Sequence, residues 1–480
     1  MTIITSDSGG LKQNAIGWVS IFFMVITTNG PLTAMAGGVP VSIALGNGFG
    51  LPGSYVIACF AYLVFAIGFC AMSRHMNGAG AFYAYVSRGL GASAGIATAA
   101  MAVFAYYGVL LAVYGMFGFF VSEALQATFN ITVHWGLVCI ICATVAYFMS
   151  TKGIDFSGRV LIALMVGEVG IIFLCDWLGF WDTAFQSAYN FDSFKFDTVF
   201  TDGFGPSLIF VVASFMGFET AAIYSQEVRD PHKSIPKAMY ASIAFIGVLY
   251  AGSIWLMLNW YGADEAVKVA NSNPGAMWFD MLEKLLGSTS RHIAMALVIT
   301  SLFGAILSFT NVISRYWYVL GSTHVLSEKL ARTSTKTGAP VTAALLHFII
   351  SIFLIAACML VHADPMMQVL PFASTPAAVG VVLVQCLAAI AVIFFFYKRK
   401  IKAPIIKRLL APLLSVELMS YFLYQMIANV GLLAGREDFF AYALALSIPV
   451  IGLIGWGYSM HLKKRHVAKF SALSEWVALN

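Results

Sequence analysis

The sequence has few charged residues: only 10% of its 480 residues are Asp, Glu, Lys or Arg, while 60% are hydrophobic. A soluble domain usually has about 25% charged residues. The mean hydropathy is +0.85, and no polar stretch is long enough to fold as a separate domain. These features exclude a soluble protein and predict a single all-α polytopic membrane unit with short loops.

Sequence signals of other function classes are also lacking. No GxxxxGK[ST] run for ATP binding is present. No cluster of His, Cys and acidic residues has metal-ligand spacing, so we expect no metal, no cofactor and no enzymatic activity. The net charge of +5 comes from basic residues scattered over separate loops on one predicted membrane face, which gives no support to nucleic-acid binding.

Hydrophobic runs of about 20 residues, the length that crosses a bilayer, predict membrane-spanning helices. The first run is longer than the apolar core of a signal peptide, about 7–15 residues, so we expect it to be retained. We name the twelve runs spans 1–12, and they lie near 15–45, 53–73, 94–122, 133–150, 159–178, 205–225, 238–261, 291–320, 340–362, 369–397, 411–433 and 439–461.

The basic residues predict the orientation of these spans. With the N-terminus inside, 22 of the 27 Lys and Arg residues fall on the inner side and 5 on the outer side, as the positive-inside rule requires. We therefore expect a multi-pass protein of the cytoplasmic (inner) membrane, surrounded by the lipid bilayer, with both termini in the cytoplasm.

Two spans are interrupted by small and polar residues, span 1 at Thr27–Thr33 and span 6 at Ala213–Glu219. Non-helical backbone persists at membrane depth only where it is buried in protein or lines a cavity. Because the second break comes five spans after the first, the second set of five spans runs in the opposite direction, which predicts an inverted repeat. The predicted units are a cytoplasmic tail (1–14), a first repeat with spans 1–5 (15–200), a second repeat with spans 6–10 (201–400), and spans 11 and 12 with a cytoplasmic tail (401–480).

Further sequence runs occur in a characteristic order along the chain. They are Gly78–Gly91 after span 2, Gly217–Glu219 with Glu227–Pro231 and Ile235–Ala238 around the end of span 6, and Asn311–Tyr316 with Leu320-Gly321 in span 8. Together they resemble the amino acid–polyamine–organocation (APC) superfamily of permeases. The resemblance covers most of the chain and implies a leucine-transporter-like fold, in which two inverted repeats of five spans contain broken helices 1 and 6.

The chain also departs from the family pattern. Many members have a Gly-small-Gly triplet at the break of helix 1, where this chain has Asn29–Thr33. Arginine-exchanging relatives place a gating Trp where this chain has Ala213. These differences disfavour a narrow arginine/agmatine exchanger.

The two breaks supply a predicted substrate site. The free N–H groups that follow Gly30 suit a substrate carboxylate, and unwound carbonyl groups around Ala213–Gly217 can accept hydrogen bonds from an ammonium group. There are two alternatives: span 1 has only a simple proline kink, and Phe215 or Phe218 belongs to the ordinary packed core. The predicted substrate-binding residues are Thr28, Asn29, Gly30, Thr33, Tyr106, Tyr107, Ala213, Ser214, Phe215, Gly217 and Phe218.

Span 10 contains a third proline-marked feature, Ser374-Thr375-Pro376. Proline removes a backbone donor inside a helix and tends to kink it. We therefore predict a distortion at this point, which could serve as a gate.

Two carboxyl groups within the spans are candidates for ion coupling. A carboxylate at membrane depth needs a partner or takes a proton, and this applies to Glu168 in span 5 and Glu219 in span 6. Glu168 falls where proton-coupled members of the family resemble one another in having Lys. Its possible roles are a proton carrier, which we favour, a Na⁺ ligand together with Ser301 or Ser308 of span 8, or a structural acid.

The leading hypothesis is a secondary active importer or exchanger of amino acids or closely related amines, working by alternating access. A polyamine or organic-cation permease is the alternative, and it requires extra acidic residues in the cavity. A channel or a membrane sensor with a transporter fold belongs to a different class. Repeated filter rings or a long soluble domain would favour it, and the sequence has neither.

Overall fold

The computed structural model describes residues 11, 13–76, 81–186, 188–431, 439–465 and 470. Most of the predicted N-terminal tail, Gly78–Gly80 and most of the predicted C-terminal tail lie outside these residues. Within the described ranges the regular structure is helical, apart from an isolated bridge between Ile16 and Val228. The prediction of an all-α polytopic membrane protein is confirmed.

Each predicted span corresponds to a helical segment of the described chain. Eleven segments are long and apolar enough to cross a membrane, and span 4 is a shorter apolar helix. The bounds are Trp18–Asn29 and Val39–Leu45 (span 1), Leu51–Ser73 (2), Ala92–Phe129 (3), Trp135–Thr151 (4), Ile154–Gln186 (5), Phe204–Phe215 and Phe218–Ala222 (6), Pro231–Tyr261 (7), Ser288–Ser322 (8), Val341–Leu360 (9), Leu370–Lys398 (10), Ala411–Ala428 (11) and Phe439–Arg465 (12).

Shorter helices connect the spans. Ala81–Leu90 follows span 2, and Ala263–Ser272 and Met277–Leu286 lie between spans 7 and 8. The first of the latter two packs against Val39–Leu45, the last part of span 1. Two π-helical turns, Pro365–Val369 and Ile406–Leu410, precede spans 10 and 11.

The broken spans occupy the centre of the bundle. In the most apolar stretch of span 6, 94% of the residues are buried, and in span 1 the share is 78%. The corresponding share is only 28% in each of spans 5, 9 and 12, since apolar side chains at the periphery face lipid. Irregular backbone is therefore enclosed by protein, as a membrane environment requires.

Span 10 is continuous where the sequence predicts a distortion. Leu370–Lys398 is a single α-helix with Pro376 inside it, so the helix is not interrupted at this residue. Close packing against span 3 supports this stretch: a Cβ atom added to Gly108 would lie 2.8 Å from the carbonyl oxygen of Ala373. The irregular turn lies earlier, at Pro365–Val369, where the Asp364 carboxylate accepts two backbone N–H bonds.

Candidate functional site

Span 1 breaks at Gly30. Its first helix, Trp18–Asn29, ends where Gly30 adopts left-handed angles of φ 53° and ψ 69°, which glycine tolerates best. Pro31 begins the next helical turn and has no backbone N–H, which suits the first position of a helix. A π-helix follows at Ala34–Gly38 before regular helix resumes at Val39. The break thus lies inside the predicted Thr27–Thr33 interruption.

Span 6 breaks at Met216-Gly217. Its helix continues through Phe215, Met216 is extended with ψ 131°, and Gly217 has φ 114°. The chain then continues as a 3₁₀ helix, Phe218–Ala222. The predicted unwinding around Ala213 is therefore too early, because Ala213 and the two residues after it are still helical. The carbonyl of Ala213 already has a donor, since it accepts a hydrogen bond from the Met216 N–H at 3.2 Å.

The two breaks touch each other. A Cβ atom added to Gly217 would lie 2.7 Å from Cγ2 and 3.0 Å from Cβ of Thr28. Only a residue without a side chain fits this close to Thr28, which lies in the last turn of the helix that ends before Gly30. Spans 1 and 6 therefore meet beside their breaks.

A cavity opens beside this contact, between spans 1, 3, 6, 8 and 10. Its volume is ≈ 610 Å³, and none of the residues that line it is charged. Volumes of about 300–1,000 Å³ suit small-molecule ligands. The lining residues are Thr28, Asn29, Gly30, Thr33, Ala34, Gly38, Val109, Ala112, Val113, Met116, Phe210, Ala213, Ser214, Ala305, Phe309, Leu370 and Ser374.

Few polar atoms face this cavity. The Asn29 amide nitrogen donates to the Val25 carbonyl at 2.8 Å, while its oxygen Oδ1 is buried and has no partner within the described chain. The Ser214 hydroxyl donates to the Phe210 carbonyl at 2.9 Å and lies 2.8 Å from the Tyr55 hydroxyl. Asn29 Oδ1 is thus an unpaired acceptor in a residue of the cavity wall.

Five of the predicted substrate-binding residues do not line the cavity. The Phe215 ring stacks on Tyr62, and Phe218 also packs edge-on against Tyr62. The Tyr107 hydroxyl accepts a bond from the Trp317 indole at 3.1 Å. The other two are Tyr106, whose hydroxyl binds Glu219, and Gly217, which contacts Thr28.

The structure brings the other predicted substrate-binding residues together around the cavity, namely Thr28, Asn29, Gly30, Thr33, Ala213 and Ser214. Sequence reasoning missed the apolar part of the lining. Its members on spans 3, 6, 8 and 10 read as ordinary hydrophobic helix residues, so no local signal marks them. They are Val109, Val113, Met116, Phe210, Phe309 and Leu370.

Glu219 braces the break of span 6. It is fully buried, and Oε1 accepts a hydrogen bond from the Tyr106 hydroxyl at 2.5 Å, while Oε2 accepts one from the Gly217 N–H at 3.1 Å. Both carboxyl oxygens are therefore paired. The contact ties the irregular backbone of span 6 to span 3.

Glu168 lies behind the break of span 1. It too is fully buried; Oε2 accepts a bond of 2.7 Å from the Ser301 hydroxyl, and the backbone N–H of Leu32 is a second donor to the carboxyl group. Oε1 has no partner within the described chain. Ser301 in turn accepts a bond of 3.0 Å from Thr33. A short polar chain thus connects Glu168 to a residue of the cavity wall.

Ser308, the other candidate hydroxyl of span 8, does not take part in the hydrogen bonds that connect Thr33, Ser301 and Glu168. It hydrogen-bonds to Thr28, and it also donates to the Met24 carbonyl at 3.5 Å. Ser301 and Ser308 therefore contact different turns of span 1, at Thr33 and Thr28.

A buried ion pair lies on the predicted cytoplasmic side of the breaks. Arg315 of span 8 makes a bidentate contact with Glu227, at 2.6 Å from Nε and 2.8 Å from Nη2, and both side chains are almost wholly buried. The backbone carbonyl of Glu227 accepts bonds from Ala15 and Ile16 at 2.7 and 3.2 Å. The start of the described chain is thereby attached to the segment after span 6.

We compared the sequence with models of known protein families. A family model described as amino acid permease matches residues 16–454. The chain belongs to the amino acid permease family. Because this match includes all the spans except the last part of span 12, the two broken spans and the cavity between them are within the family region.

Individual relatives of this permease family are distant. The cationic amino acid transporter 7 of Arabidopsis thaliana is 23% identical over 313 residues, which cover 61% of this chain and 52% of that protein. The aromatic amino acid permease of Lactococcus lactis is 25% identical, covering 47% and 48%. The human large neutral amino acids transporter small subunit 2 is 23% identical, covering 61% and 54%. The chain thus spans about half the length of these curated relatives.

Proposed function

We propose that this permease is a secondary active transporter of neutral amino acids, coupled to protons and working by alternating access. The observation that carries the proposal is the contact between two broken spans beside an uncharged cavity. Discontinuous helices that meet near the middle of a bundle are the usual binding architecture of secondary transporters.

The backbone at the breaks suits a zwitterion. The helical turn after Gly30 presents its N-terminal, positively polarised end, which favours a carboxylate. Asn29 Oδ1, which has no partner in the described structure, can accept a hydrogen bond from an ammonium group. Both groups lie on the wall of the same cavity.

The rest of the wall suits a neutral side chain. Phe210, Phe309 and Leu370 are among its apolar residues, and Glu168 and Glu219 are not part of the lining. A diamine or a cationic side chain would enter this space without a carboxylate partner, at a high desolvation cost. The cavity therefore favours aliphatic or aromatic amino acids over polyamines, although relatives are named for cationic, aromatic and large neutral amino acids.

Glu168 is the proposed proton carrier. A charged carboxylate with one unpaired oxygen is poorly stabilised in a buried site, whereas a carboxylic acid needs fewer partners. The bonds from Thr33 to Ser301 and from Ser301 to Glu168 link this group to the cavity wall. Substrate binding can thereby alter the surroundings of the carboxyl group.

The conformation fits an outward-facing state. The cavity is bordered by Gly38, Met116 and Leu370, which lie in the halves of their spans predicted to face outward. The Glu227–Arg315 pair blocks the predicted cytoplasmic side. Alternating access then requires this pair to separate while the outer side closes. This arrangement assumes the predicted cytoplasmic membrane location, with both termini inside.

A thermal-shift screen of the purified chain tests the substrate class. A ligand at about 100 times its Kd stabilises the folded state by roughly 2.7 kcal/mol. Leucine, phenylalanine and other neutral amino acids should raise the unfolding temperature, while arginine and putrescine should not. Stabilisation by diamines without stabilisation by neutral amino acids would contradict the proposal.

A bulky substitution tests the location of the site. Ser214→Trp should fill the cavity and abolish the ligand-induced shift, whereas Ser447→Trp on span 12, away from the cavity, should preserve it. An unchanged ligand response in a folded Ser214→Trp protein would place the binding site elsewhere.

A further inference from the structure

A second cavity lies apart from the transport site, at the predicted cytoplasmic ends of spans 2, 7 and 10. Its empty volume is ≈ 590 Å³. It combines basic and apolar side chains, and none of its lining residues is acidic. The lining residues are Ile67, Cys70, Ala71, Arg74, His75, Tyr240, Phe396, Lys402, Ala403, Pro404 and Lys407.

The positive charges of this basic cavity have no acidic partner among the described residues. Arg74, Lys402 and Lys407 are exposed, and none forms an ion pair with a carboxylate of the described chain. They come from two separate parts of the sequence, the end of span 2 and the connection between spans 10 and 11. The fold therefore gathers like charges around one concave space, which is unfavourable unless an anion offsets them.

The surroundings of the basic cavity are apolar and exposed. Ile405, Ile406 and Leu410, next to Lys407 in the chain, have exposed fractions of 52%, 56% and 51%. The π-helical turn Ile406–Leu410 packs against spans 2, 10 and 11. Exposed aliphatic side chains interleaved with basic ones are typical of a segment at the boundary between acyl chains and headgroups.

We propose that this basic cavity binds the phosphate headgroup of an anionic phospholipid from the cytoplasmic leaflet. The guanidinium of Arg74 can contact two phosphate oxygens at once, while Lys402 and Lys407 act as point charges. The acyl chains would lie along the exposed aliphatic side chains of the connection. Basic pockets between spans on the cytoplasmic side are suited to such headgroups.

The lipid would join the first repeat to the segment that follows the second repeat. Arg74 comes directly after span 2 of the first repeat, whereas Lys402 and Lys407 follow span 10, the last span of the second repeat. A phosphate held between them connects the ends of these spans without a direct ion pair. Binding should therefore stabilise the whole folded chain.

The test compares lipids and paired variants. The full chain, purified in a non-ionic detergent, is titrated with phosphatidylglycerol or phosphatidylcholine while its unfolding temperature is measured. Only phosphatidylglycerol should raise that temperature. Lys402→Gln with Lys407→Gln should weaken the apparent affinity by roughly 25-fold, since each basic residue near an anionic lipid surface contributes about fivefold.

The matched control is Lys463→Gln with Lys464→Gln, which removes the same charge from exposed positions at the end of span 12. It should leave the response to phosphatidylglycerol intact. Native mass spectrometry of lipid bound to each variant provides a second measurement that does not depend on the unfolding transition. Equal lipid retention by the two double variants would overturn the proposal.

Soluble anions distinguish a lipid from a free phosphate. Inorganic phosphate and glycerol phosphate carry the same headgroup chemistry without acyl chains. We expect neither to reproduce the shift at concentrations where phosphatidylglycerol does. An equal shift with inorganic phosphate would overturn the assignment of the basic cavity to a lipid.

Discussion

Two carboxyl groups are fully buried at the broken spans, and they differ in how their oxygens are paired. Glu219 has a donor for each oxygen, the Tyr106 hydroxyl and the Gly217 N–H. Glu168 has one hydroxyl donor, Ser301, and a second oxygen without a partner in the described structure. The first group fits a fixed structural role, whereas the second is suited to a change of state.

This difference separates two candidates that the sequence treats alike. In the sequence both are single acidic residues within apolar spans. A carboxylate with complete pairing holds its neighbours in place, and removing it leaves several groups unpaired. A carboxyl group with incomplete pairing can exchange a proton while few contacts change. The comparison therefore favours Glu168 over Glu219 as the coupling group of the proposed mechanism.

The largest expected effect is the loss of coupling in Glu168→Gln. The amide cannot release or accept a proton, so uptake into proteoliposomes driven by a pH gradient should no longer accumulate substrate above equilibrium. Downhill exchange should continue, because the cavity wall is unchanged. Uphill uptake at the level of the parent protein would disprove the coupling role.

The companion measurement uses Glu219→Gln and an imposed Na⁺ gradient. If Glu219 has a structural role only, Glu219→Gln should keep its response to the pH gradient, although at lower stability.

The Na⁺ gradient is applied to the parent protein. Substrate accumulation that follows this gradient would favour the alternative in which Glu168 is a Na⁺ ligand.

The architecture could be predicted from the sequence because each of its signals is local. Hydrophobic length identifies the spans, and Gly30-Pro31 marks the first break at the correct residue. The second break is displaced by a few residues, since Ala213–Phe215 remain helical and Gly217 alone has the positive φ. Pro376 shows the limit of such signals, because packing against span 3 keeps that helix continuous.

The composition of the site could not be predicted to the same extent. Which side chain faces the cavity depends on the rotation and contacts of separate spans, which no local pattern records. Adjacent Tyr106 and Tyr107 point to different partners, Glu219 and Trp317, and neither reaches the cavity. Phe309, on the other hand, lines the cavity although its sequence surroundings are ordinary.

Truncation of Glu219 should produce the largest loss of stability. Glu219→Ala leaves the Tyr106 hydroxyl and the Gly217 N–H unpaired in a buried site, at about 1–3 kcal/mol for each group. The free energy of unfolding should fall by roughly 2–6 kcal/mol. Thermal unfolding of the two purified alanine variants measures the comparison. Glu168→Ala should lose less, since one oxygen of Glu168 has no partner in the described structure. A greater loss in Glu168→Ala would reverse the assignment.

The two glycines at the breaks provide a smaller, matched test. Both have positive φ, so alanine is strained at either position by about 1–3 kcal/mol. The new Cβ atom would lie 2.7 Å from Thr28 in Gly217→Ala, against 3.2 Å from Thr33 in Gly30→Ala. Gly217→Ala should therefore lower the unfolding temperature more. Gly217→Ala should also weaken substrate binding, because the clash separates the two breaks. Equal losses of unfolding temperature in the two variants would mean that the contact between the breaks is not tight.

The smallest expected effects concern the hydroxyl groups of span 8. Ser301→Ala and Ser308→Ala each remove a buried hydroxyl with two hydrogen-bond partners, at about 1 kcal/mol for each bond. Their stabilities should therefore be similar. Only Ser301→Ala should change proton-driven uptake, because Ser301 contacts Glu168 whereas Ser308 contacts Thr28. Two results together would contradict this: equal impairment of uptake and a raised Na⁺ requirement in both variants. They would indicate that the two hydroxyls bind the same cation. The unpaired oxygen of Glu168 would then be a ligand for that cation.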